Sequence, residues 1–376
     1  MKKPYNTESK AVLFVSNIPS PYNVDYLNEL GKLRPVTAVF ERGSSSERDG
    51  SWKNLRVQNF ACHILKGISK GRDAAFSPGV LRYLHRHRKD HIIIGNPATP
   101  TGILAILYCK LFRIPFILQS EGGMAGSGRG IKEKIKYFLM HDACMYLSGM
   151  CLKNEYFLTY GATPDRVRQY PFTSMFQSEI TQAVPSPEEK QALRKELGIE
   201  AEQMVLYVGR FIPGKGVDTL LRAGAELPAG AALVAVGGQP TQEYRSLQQQ
   251  LKLTNVFYVN HADKETVKKY YLAADVFVLP TRGDTWGLVI NEAMAAGLPV
   301  ITTKACVAGL ELIEDDENGY LIDVDDAAAL TDRVNRLLAD DGLRNKMAEN
   351  NLKKISGYTF EEQARIIDEA LTGAES

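Results

Sequence analysis

The chain has 376 residues, of which 44% are hydrophobic and 24% are charged, a composition typical of a soluble globular protein and not of a disordered one. Its length favours two domains of ordinary size. The longest apolar runs fall far short of the roughly 20 residues that a membrane-spanning helix needs. The N-terminal residues lack the apolar core of a signal peptide, and five cysteines without close pairs indicate reduced thiols. The sequence therefore predicts a cytoplasmic protein.

Charge is distributed unevenly along the chain. Residues 1–180 carry 25 Lys and Arg against 14 Asp and Glu, a net charge of +11. Residues 181–376 carry 20 against 30, a net charge of −10, and the whole chain has a net charge of +1. A basic first half is suited to an anionic partner, which leaves anionic lipid headgroups, a pyrophosphate-linked acceptor and nucleic acid as alternatives.

Predicted strands and helices alternate through the first half. Residues 10–17 predict a strand, residues 18–22 a loop and the residues after them a helix. Such a loop lies at the carboxyl edge of a parallel sheet, where ligands bind in folds of this kind. Because two prolines stiffen the loop, we interpret Pro21 and Tyr22 as part of a preformed wall of an acceptor site.

Polar and glycine residues follow two more strands, predicted over residues 91–95 and 114–120. The carboxyl ends of parallel strands meet at one edge of a sheet, so these residues are further candidates for the acceptor side. They are Asn96, Glu121, Gly122 and Gly123. The glycine-rich stretch that comes next lacks the spacing of a dinucleotide-binding loop.

Two segments of the first half are strongly basic. The cluster at residues 82–91 is either a solvated face or a contact with membrane or acceptor. The segment that begins at Ile131 places Ile131, Ile135 and Phe138 on one face of a helix with three lysines around them. That helix either lies on a membrane surface or packs its apolar face on the core.

In the second half, the pattern of strand, loop, helix and strand begins again at residue 204. The loop after the first of these strands holds Gly209, Arg210 and Lys215. Gly209 permits a tight turn, Arg210 offers a planar fork of donors and Lys215 a mobile ammonium group. Together they are the set of donors that a diphosphate requires.

Residues 276–303 predict a strand, a loop, a helix that starts at Gly287 and a second strand. The start of that helix is an anion site because its first amides point outward, and Gly287 lets a ligand approach the backbone. Asp284 at the mouth and Glu292 two turns later suit the hydroxyl groups of a ribose and a second sugar. The predicted donor contacts of the loop are Thr285, Trp286, Gly287 and Leu288.

The stretches VGRFIPGKG and DTWGLVINEAMAAGLPV resemble the motifs of the retaining nucleotide-sugar glycosyltransferases of family four, the glycosyl transferases group 1 type. The second motif differs from the family pattern in having Asp284 in place of Glu and Trp286 in place of Phe. The resemblance implies an α/β fold named GT-B, in which two doubly wound Rossmann-like domains face a central cleft. We expect an acceptor-binding domain over residues 1–175, a donor-binding domain over residues 186–357, and a last helix, 359–373, that packs back on the first domain.

The resemblance also implies a reaction. A sugar moves from a nucleotide-diphosphate sugar, a UDP-sugar, to a hydroxyl of the acceptor, and the configuration at the sugar carbon is retained. Arg210 and Lys215 then stabilise the leaving diphosphate, Glu292 binds the ribose hydroxyls and Asp284 those of the transferred sugar. Since cations and amides already cover the diphosphate, we expect neither a cofactor nor a metal.

The partners implied are the nucleotide-sugar donor and a glycan or lipid-linked glycan acceptor, without nucleic acid. The resemblance and the basic first half place the protein in bacterial surface polysaccharide or glycolipid assembly, at the inner face of the cell membrane, with peripheral contact to anionic lipid. The sequence Asp323-Val324-Asp325 is assigned no metal. Two alternatives stay open: a nucleotide-sugar epimerase of the same fold and a catalytically inactive sugar-nucleotide-binding subunit.

Overall fold

The computed structural model describes residues 9–43, 56–70, 74–120, 130–149 and 156–375. The chain divides into two compact units. Unit 1 comprises Met1–Ser174 and Thr359–Ser376, and unit 2 comprises Met175–Tyr358. None of the helices within the described ranges is long and apolar enough to cross a bilayer.

Unit 1 is built on a parallel sheet. Its strands are β1 (Val12–Ser16), β2 (Val36–Phe40), β3 (Ala61–Ile64), β6 (His91–Ile94), β7 (Ile117–Ser120), β8 (Met145–Ser148) and β9 (Val167–Gln169). Their order in the sheet is β3-β2-β1-β6-β7-β8-β9, and every neighbouring pair is parallel. A separate antiparallel pair consists of β4 (Ile68–Lys70) and β5 (Ala74–Phe76). The central strands β1 and β6 are almost entirely buried, because a parallel sheet is covered on both faces.

The helices of unit 1 are α1 (Pro21–Leu33), α2 (Val80–Arg86), α3 (Pro100–Leu111), α4 (Ile131–Met140), α5 (Tyr156–Thr159) and α14 (Phe360–Gly373). Helix α14 packs against α1. The buried guanidinium of Arg34 helps to hold it there, donating to Asp368 at 2.5 Å and to Thr372 at 2.8 Å. The last helix of the chain therefore belongs to unit 1 together with residues near the N-terminus.

Two predictions for unit 1 are wrong in detail. Pro21 and Tyr22 were predicted in a loop, but they form the first turn of α1, where Ser20 caps the helix by accepting from the amide of Asn23 at 3.4 Å. Proline is favoured at this position because the first amide of a helix has no partner to lose. The sequence also predicts a strand over residues 169–172, whereas β9 ends at Gln169.

Unit 2 also has a parallel sheet. Its strands are β10 (Gln203–Val208), β11 (Ala231–Val236), β12 (Val256–Val259), β13 (Val276–Leu279), β14 (Val300–Thr303) and β15 (Gly319–Ile322). Their order is β12-β11-β10-β13-β14-β15, with every neighbouring pair parallel. The helices are α6 (Pro187–Glu196), α7 (Val217–Gly224), α8 (Gln242–Gln250), α9 (Lys264–Ala273), α10 (Leu288–Ala295), α11 (Val307–Leu312), α12 (Ala327–Ala339) and α13 (Asp341–Ile355).

Helices α8 and α11 have no counterpart among the predicted elements. Helix α8 buries only Tyr244, so its sequence lacks the apolar periodicity that marks a helix. Helix α11 has six residues, too few to show a period.

The strand order reverses once in each sheet, between β1 and β6 in unit 1 and between β10 and β13 in unit 2. Loops that leave the carboxyl ends of the two strands on either side of such a reversal diverge and open a crevice, which is where ligands bind in doubly wound folds. We call these two places the switch points. The motif residues predicted for the donor lie on the two loops, or the helix after them, at the switch point of unit 2.

Candidate functional site

Two loops meet at the switch point of unit 2: residues 209–216 after β10 and residues 280–287 after β13. The amide of Arg282 and the hydroxyl of Thr281 both donate to the carbonyl oxygen of Gly214, each at 2.9 Å. The ammonium of Lys215 forms an ion pair with the carboxylate of Asp284. We call these segments the joined loops, because direct bonds make them one surface.

Behind the joined loops, Arg282 holds neighbouring elements together. Its guanidinium binds Asp218 at 2.6 Å and Asp325 at 2.7 Å. The other aspartate of the 323–325 stretch, Asp323, pairs with Lys304 at 2.9 Å. Both carboxylates are thus already paired with cations. In the part of the chain that the structure describes, no three His, Cys, Asp or Glu residues are grouped closely enough to hold a metal ion.

The ion pair of Lys215 and Asp284 brings together two residues that the sequence assigned to different parts of the donor. Their side chains are only 17% and 18% exposed. The second oxygen of Asp284 accepts from the amide of Trp286 at 3.3 Å. The carboxylate therefore fixes the position of the ammonium between the two loops.

Two residues at the start of α10 have roles in the fold as well as their predicted place in the site. Gly287 has φ of +102°, and a Cβ there would lie 2.7 Å from the sulfur of Cys306, so this glycine is required by the fold and not only by a ligand. The side chain of Trp286 is 3% exposed and its indole N–H donates to Asn291 at 2.8 Å, so only its backbone faces the site. Within the described residues, the amides of Thr285, Gly287 and Leu288 donate to no acceptor. They remain available to an anion.

A cavity of about 390 Å³ lies in unit 2 beside the switch point. Gly209, Arg210 and Glu292 line it, whereas Lys215 and Asp284 do not. Most of the wall is apolar, formed by residues such as Val208, Val236, Ala295 and Ala296 together with His261. A largely apolar wall whose charged groups include the carboxylate of Glu292 and the guanidinium of Arg210 has the chemistry to hold an aromatic base, a ribose and a phosphate.

Tyr271 orients the carboxylate of Glu292, which lines the cavity. Its ring is buried against Phe277, and its hydroxyl donates to Glu292 at 3.0 Å. Burial and the adjacent carboxylate raise the pKa of this hydroxyl well above its ordinary value, so it stays protonated and remains a donor. The sequence analysis did not identify Tyr271. A tyrosine on the buried face of a helix gives no sign in the sequence that its hydroxyl contacts a carboxylate 21 residues away.

The acceptor-side candidates are only partly brought together in unit 1. The side-chain amide of Asn96 donates to the hydroxyl of Ser16 and to the amide oxygen of Asn17, both at 2.9 Å, so it lies at the switch point. Pro21 is in α1, and the ring of Tyr22 packs edge-on against Phe172 with 5.5 Å between ring centres. The remaining candidates, Glu121, Gly122 and Gly123, lie outside the described residues.

Glu41 is a buried carboxyl next to this switch point that sequence reasoning did not single out. It follows β2, is 2% exposed, and accepts from the hydroxyl of Thr99 and from the amide of Ala75. Burial raises the pKa of Glu41, and the two hydrogen bonds only partly oppose that shift. Because Thr99 caps α3, Glu41 connects the end of β2 to the start of that helix.

Parts of the chain are similar in sequence to known proteins. Residues 189–354 match the family model described as glycosyl transferases group 1. A D-inositol 3-phosphate glycosyltransferase of Xylanimonas cellulosilytica is 36% identical over 198 residues, which is 50% of this chain and 47% of that protein. An uncharacterized glycosyltransferase of Methanocaldococcus jannaschii is 30% identical over 258 residues, 65% of each chain. The alignments thus span less than two thirds of the length of these two relatives.

Among solved structures, HepE from Anabaena in complex with UDP superposes with a TM-score of 0.77, over 96% of this chain and 100% of that chain. The two sequences are 18% identical, so the likeness concerns the fold. With its two parallel sheets, the chain has the GT-B fold, and the predicted fold class is confirmed.

Proposed function

Because residues 189–354 match the family model described as glycosyl transferases group 1, we propose that this protein transfers a sugar from a nucleotide-diphosphate sugar, a UDP-sugar, to a hydroxyl of an acceptor. The observation that carries the proposal is the cavity of unit 2, which has Arg210 and Glu292 in its wall and lies beside the joined loops. The complex of HepE with UDP supports the choice of nucleotide.

The chain supplies several groups for a departing diphosphate. As the bond to the sugar breaks, negative charge grows on the leaving phosphate oxygen. Arg210, Lys215 and the amides of Thr285, Gly287 and Leu288 stabilise that charge as donors already held in place. A divalent cation is then unnecessary, and the transfer is metal-independent.

Retention follows if the acceptor attacks from the face that the diphosphate leaves. Asp284 pairs with Lys215 and Glu292 accepts from Tyr271, and we assign both carboxylates to binding and neither to nucleophilic attack. The bond from the sugar carbon to the diphosphate breaks, the bond to the acceptor oxygen forms on the same face, and the proton of the acceptor hydroxyl moves to a diphosphate oxygen. Glu292 holds the ribose hydroxyls and Asp284 those of the transferred sugar.

The proposed acceptor is a glycan or lipid-linked glycan, bound by unit 1 at the inner face of the cell membrane. The net charge of +11 on residues 1–180 supports an anionic partner of this kind. The reaction then belongs to the assembly of surface polysaccharide or glycolipid.

The test has two arms. A thermal-shift panel of nucleotide-diphosphate sugars should single out UDP compounds, and radiolabelled donor should pass its sugar to a lipid-linked acceptor fraction. Incubation of the same donors without acceptor should leave the sugar unchanged, whereas an epimerase would convert it. Stabilisation by UDP-sugars without transfer to any acceptor would contradict the proposal and favour an inactive binding subunit.

A further inference from the structure

Helix α4 carries its large apolar side chains outward. Ile131 is 77% exposed, Ile135 52% and Phe138 54%. They lie at positions i, i+4 and i+7 and therefore on one face of the helix. Only the last two residues of α4, Leu139 and Met140, are buried in the core of unit 1. The alternative that this apolar face packs on the core is therefore wrong.

The end of α3 adds to the same patch. Leu107 and Leu111, on α3, and Phe112, just after it, are 41%, 76% and 58% exposed. Lys110 joins the two helices, because its ammonium lies 4.6 Å from the ring centre of Phe138 and pairs with Asp142 at 2.9 Å. We call these six exposed residues the α3–α4 surface. They are six of the 15 large hydrophobic residues exposed within the described ranges. The exposed apolar side chains are therefore clustered at this surface and not spread singly over the protein.

The charges around the α3–α4 surface are unbalanced. Both nearby carboxylates are neutralised, since Glu133 pairs with Lys136 at 3.2 Å and Asp142 with Lys110. Three further cations are exposed and form no ion pair with any described residue. They are Arg113, Lys132 and Lys134.

We propose that the α3–α4 surface docks on an anionic lipid bilayer, with Ile131, Ile135 and Phe138 at the boundary between headgroups and acyl chains. The three unpaired cations then contact anionic headgroups, an arrangement in which apolar insertion and charge act together. A second copy of the chain is disfavoured, because a symmetric contact would bring the same cations against each other. The inference rests on the lipid-linked acceptor of the proposed function and names the surface that reaches it.

Co-sedimentation of the full-length protein with vesicles tests this surface, without nucleotide or acceptor. The wild type should bind vesicles of phosphatidylglycerol and phosphatidylcholine, not phosphatidylcholine alone, and the binding should weaken as salt rises from about 50 to 500 mM. One variant combines Ile131→Ser, Ile135→Ser and Phe138→Ser, and a second combines Lys132→Glu and Lys134→Glu. Each should lower the partition coefficient by about tenfold or more.

Matched controls separate the surface from general changes of polarity and charge. Ile68→Ser removes a side chain that is 76% exposed elsewhere in unit 1, and the double variant Lys195→Glu, Lys353→Glu makes the same charge change in unit 2. Both should bind like the wild type. Thermal unfolding checks that the variants fold. Because the two test variants change different residues, the other still tests the surface if one of them fails to fold.

Wild-type binding by both test variants would overturn the proposal, as would equal binding to neutral and anionic vesicles. A dimer in light scattering that the three serine substitutions convert to a monomer would overturn it as well, because a second copy would then cover the surface. UDP binding should be unchanged in every variant. A protein that docks on vesicles but binds no nucleotide would contradict the proposed function while leaving the docking surface intact.

Discussion

The two units form their switch points with different kinds of bonds. In unit 2, backbone and side-chain groups bond directly to the carbonyl of Gly214, and Lys215 pairs with Asp284 across the joined loops. In unit 1, the loops after β1 and β6 are connected through the side-chain amides of Asn17 and Asn96. The contact in unit 2 requires glycine at Gly216, where a Cβ would lie 1.9 Å from the carbonyl oxygen of Pro280, so it contributes a fixed glycine to the sequence motif. The side-chain amide contact in unit 1 makes no such demand on the backbone.

The chemical groups at the two switch points also differ. Unit 2 presents a guanidinium, an ammonium and amides without partners, which are suited to the charge of a diphosphate. The described part of the switch point in unit 1 presents neutral amides and hydroxyls, which are suited to sugar hydroxyls. This contrast supports a donor on unit 2 and an acceptor on unit 1, and the four predictions below test it.

The largest effect is expected from the cations of unit 2. Arg210→Ala and Lys215→Ala should each lower kcat about a hundredfold or more, the usual loss for one donor to a developing oxyanion. Steady-state kinetics at saturating donor would measure it. Arg245→Ala and Lys304→Ala are matched controls, the second because Lys304 also pairs with an aspartate. If both test variants had the kcat of the wild type, the diphosphate would not bind at this switch point and the assignment would be wrong.

A smaller loss is expected when Tyr271→Phe removes the hydroxyl that orients Glu292. One hydrogen bond to a charged group corresponds to about tenfold weaker UDP binding. Calorimetry with UDP and 2′-deoxy-UDP measures both the loss and the preference for the ribose hydroxyl, which should shrink in the variant. Tyr270→Phe is the control on the same helix, since no hydrogen bond of that hydroxyl is formed within the described residues. An unchanged preference would mean that Tyr271 does not act through Glu292.

On unit 1, Asn96→Ala should raise the KM for acceptor about fivefold, the effect of one neutral hydrogen bond, and leave UDP affinity unchanged. Transfer kinetics at varied acceptor concentration would measure it. Asn255→Ala serves as control because Asn255 also bonds through its side-chain amide, to the carbonyl of Ala231 at 2.8 Å, but lies in unit 2 before β12. An equal KM for acceptor in both variants, or weaker UDP binding by the Asn96 variant, would contradict the assignment of the acceptor to unit 1 and the donor to unit 2.

The smallest effect is expected from removal of divalent metal. Treatment with EDTA should leave the transfer rate nearly unchanged if, as proposed, Arg210, Lys215 and the amides of unit 2 stabilise the diphosphate. The rate should be compared before chelation, after it and after adding back manganese or magnesium. Activity that is lost on chelation and restored by either ion would place a metal at the diphosphate and contradict this account of the joined loops.

The sequence predicted much of the fold and part of the donor site. Strands β10, β13 and β14 could be predicted because buried parallel strands are continuous apolar runs. The sequence also predicts two long helices over residues 327–338 and 342–354, which correspond to α12 and α13, because their apolar residues recur at helical spacing. The family resemblance and the GT-B fold class are confirmed. Helix α8 was missed because it is polar nearly all round, and Pro21 was misplaced because a proline suits both a loop and a helix start.

What the sequence determined by itself is local: which residues are apolar at which period, where glycine and proline interrupt them, and which charged residues stand at the ends of strands. The tertiary structure alone decided what those residues meet. The pairing of Lys215 with Asp284, separated by 69 positions, and the outward face of α4 are examples. Periodicity tells that a helix has an apolar face, but only the packing of distant segments decides whether another element of the chain covers it.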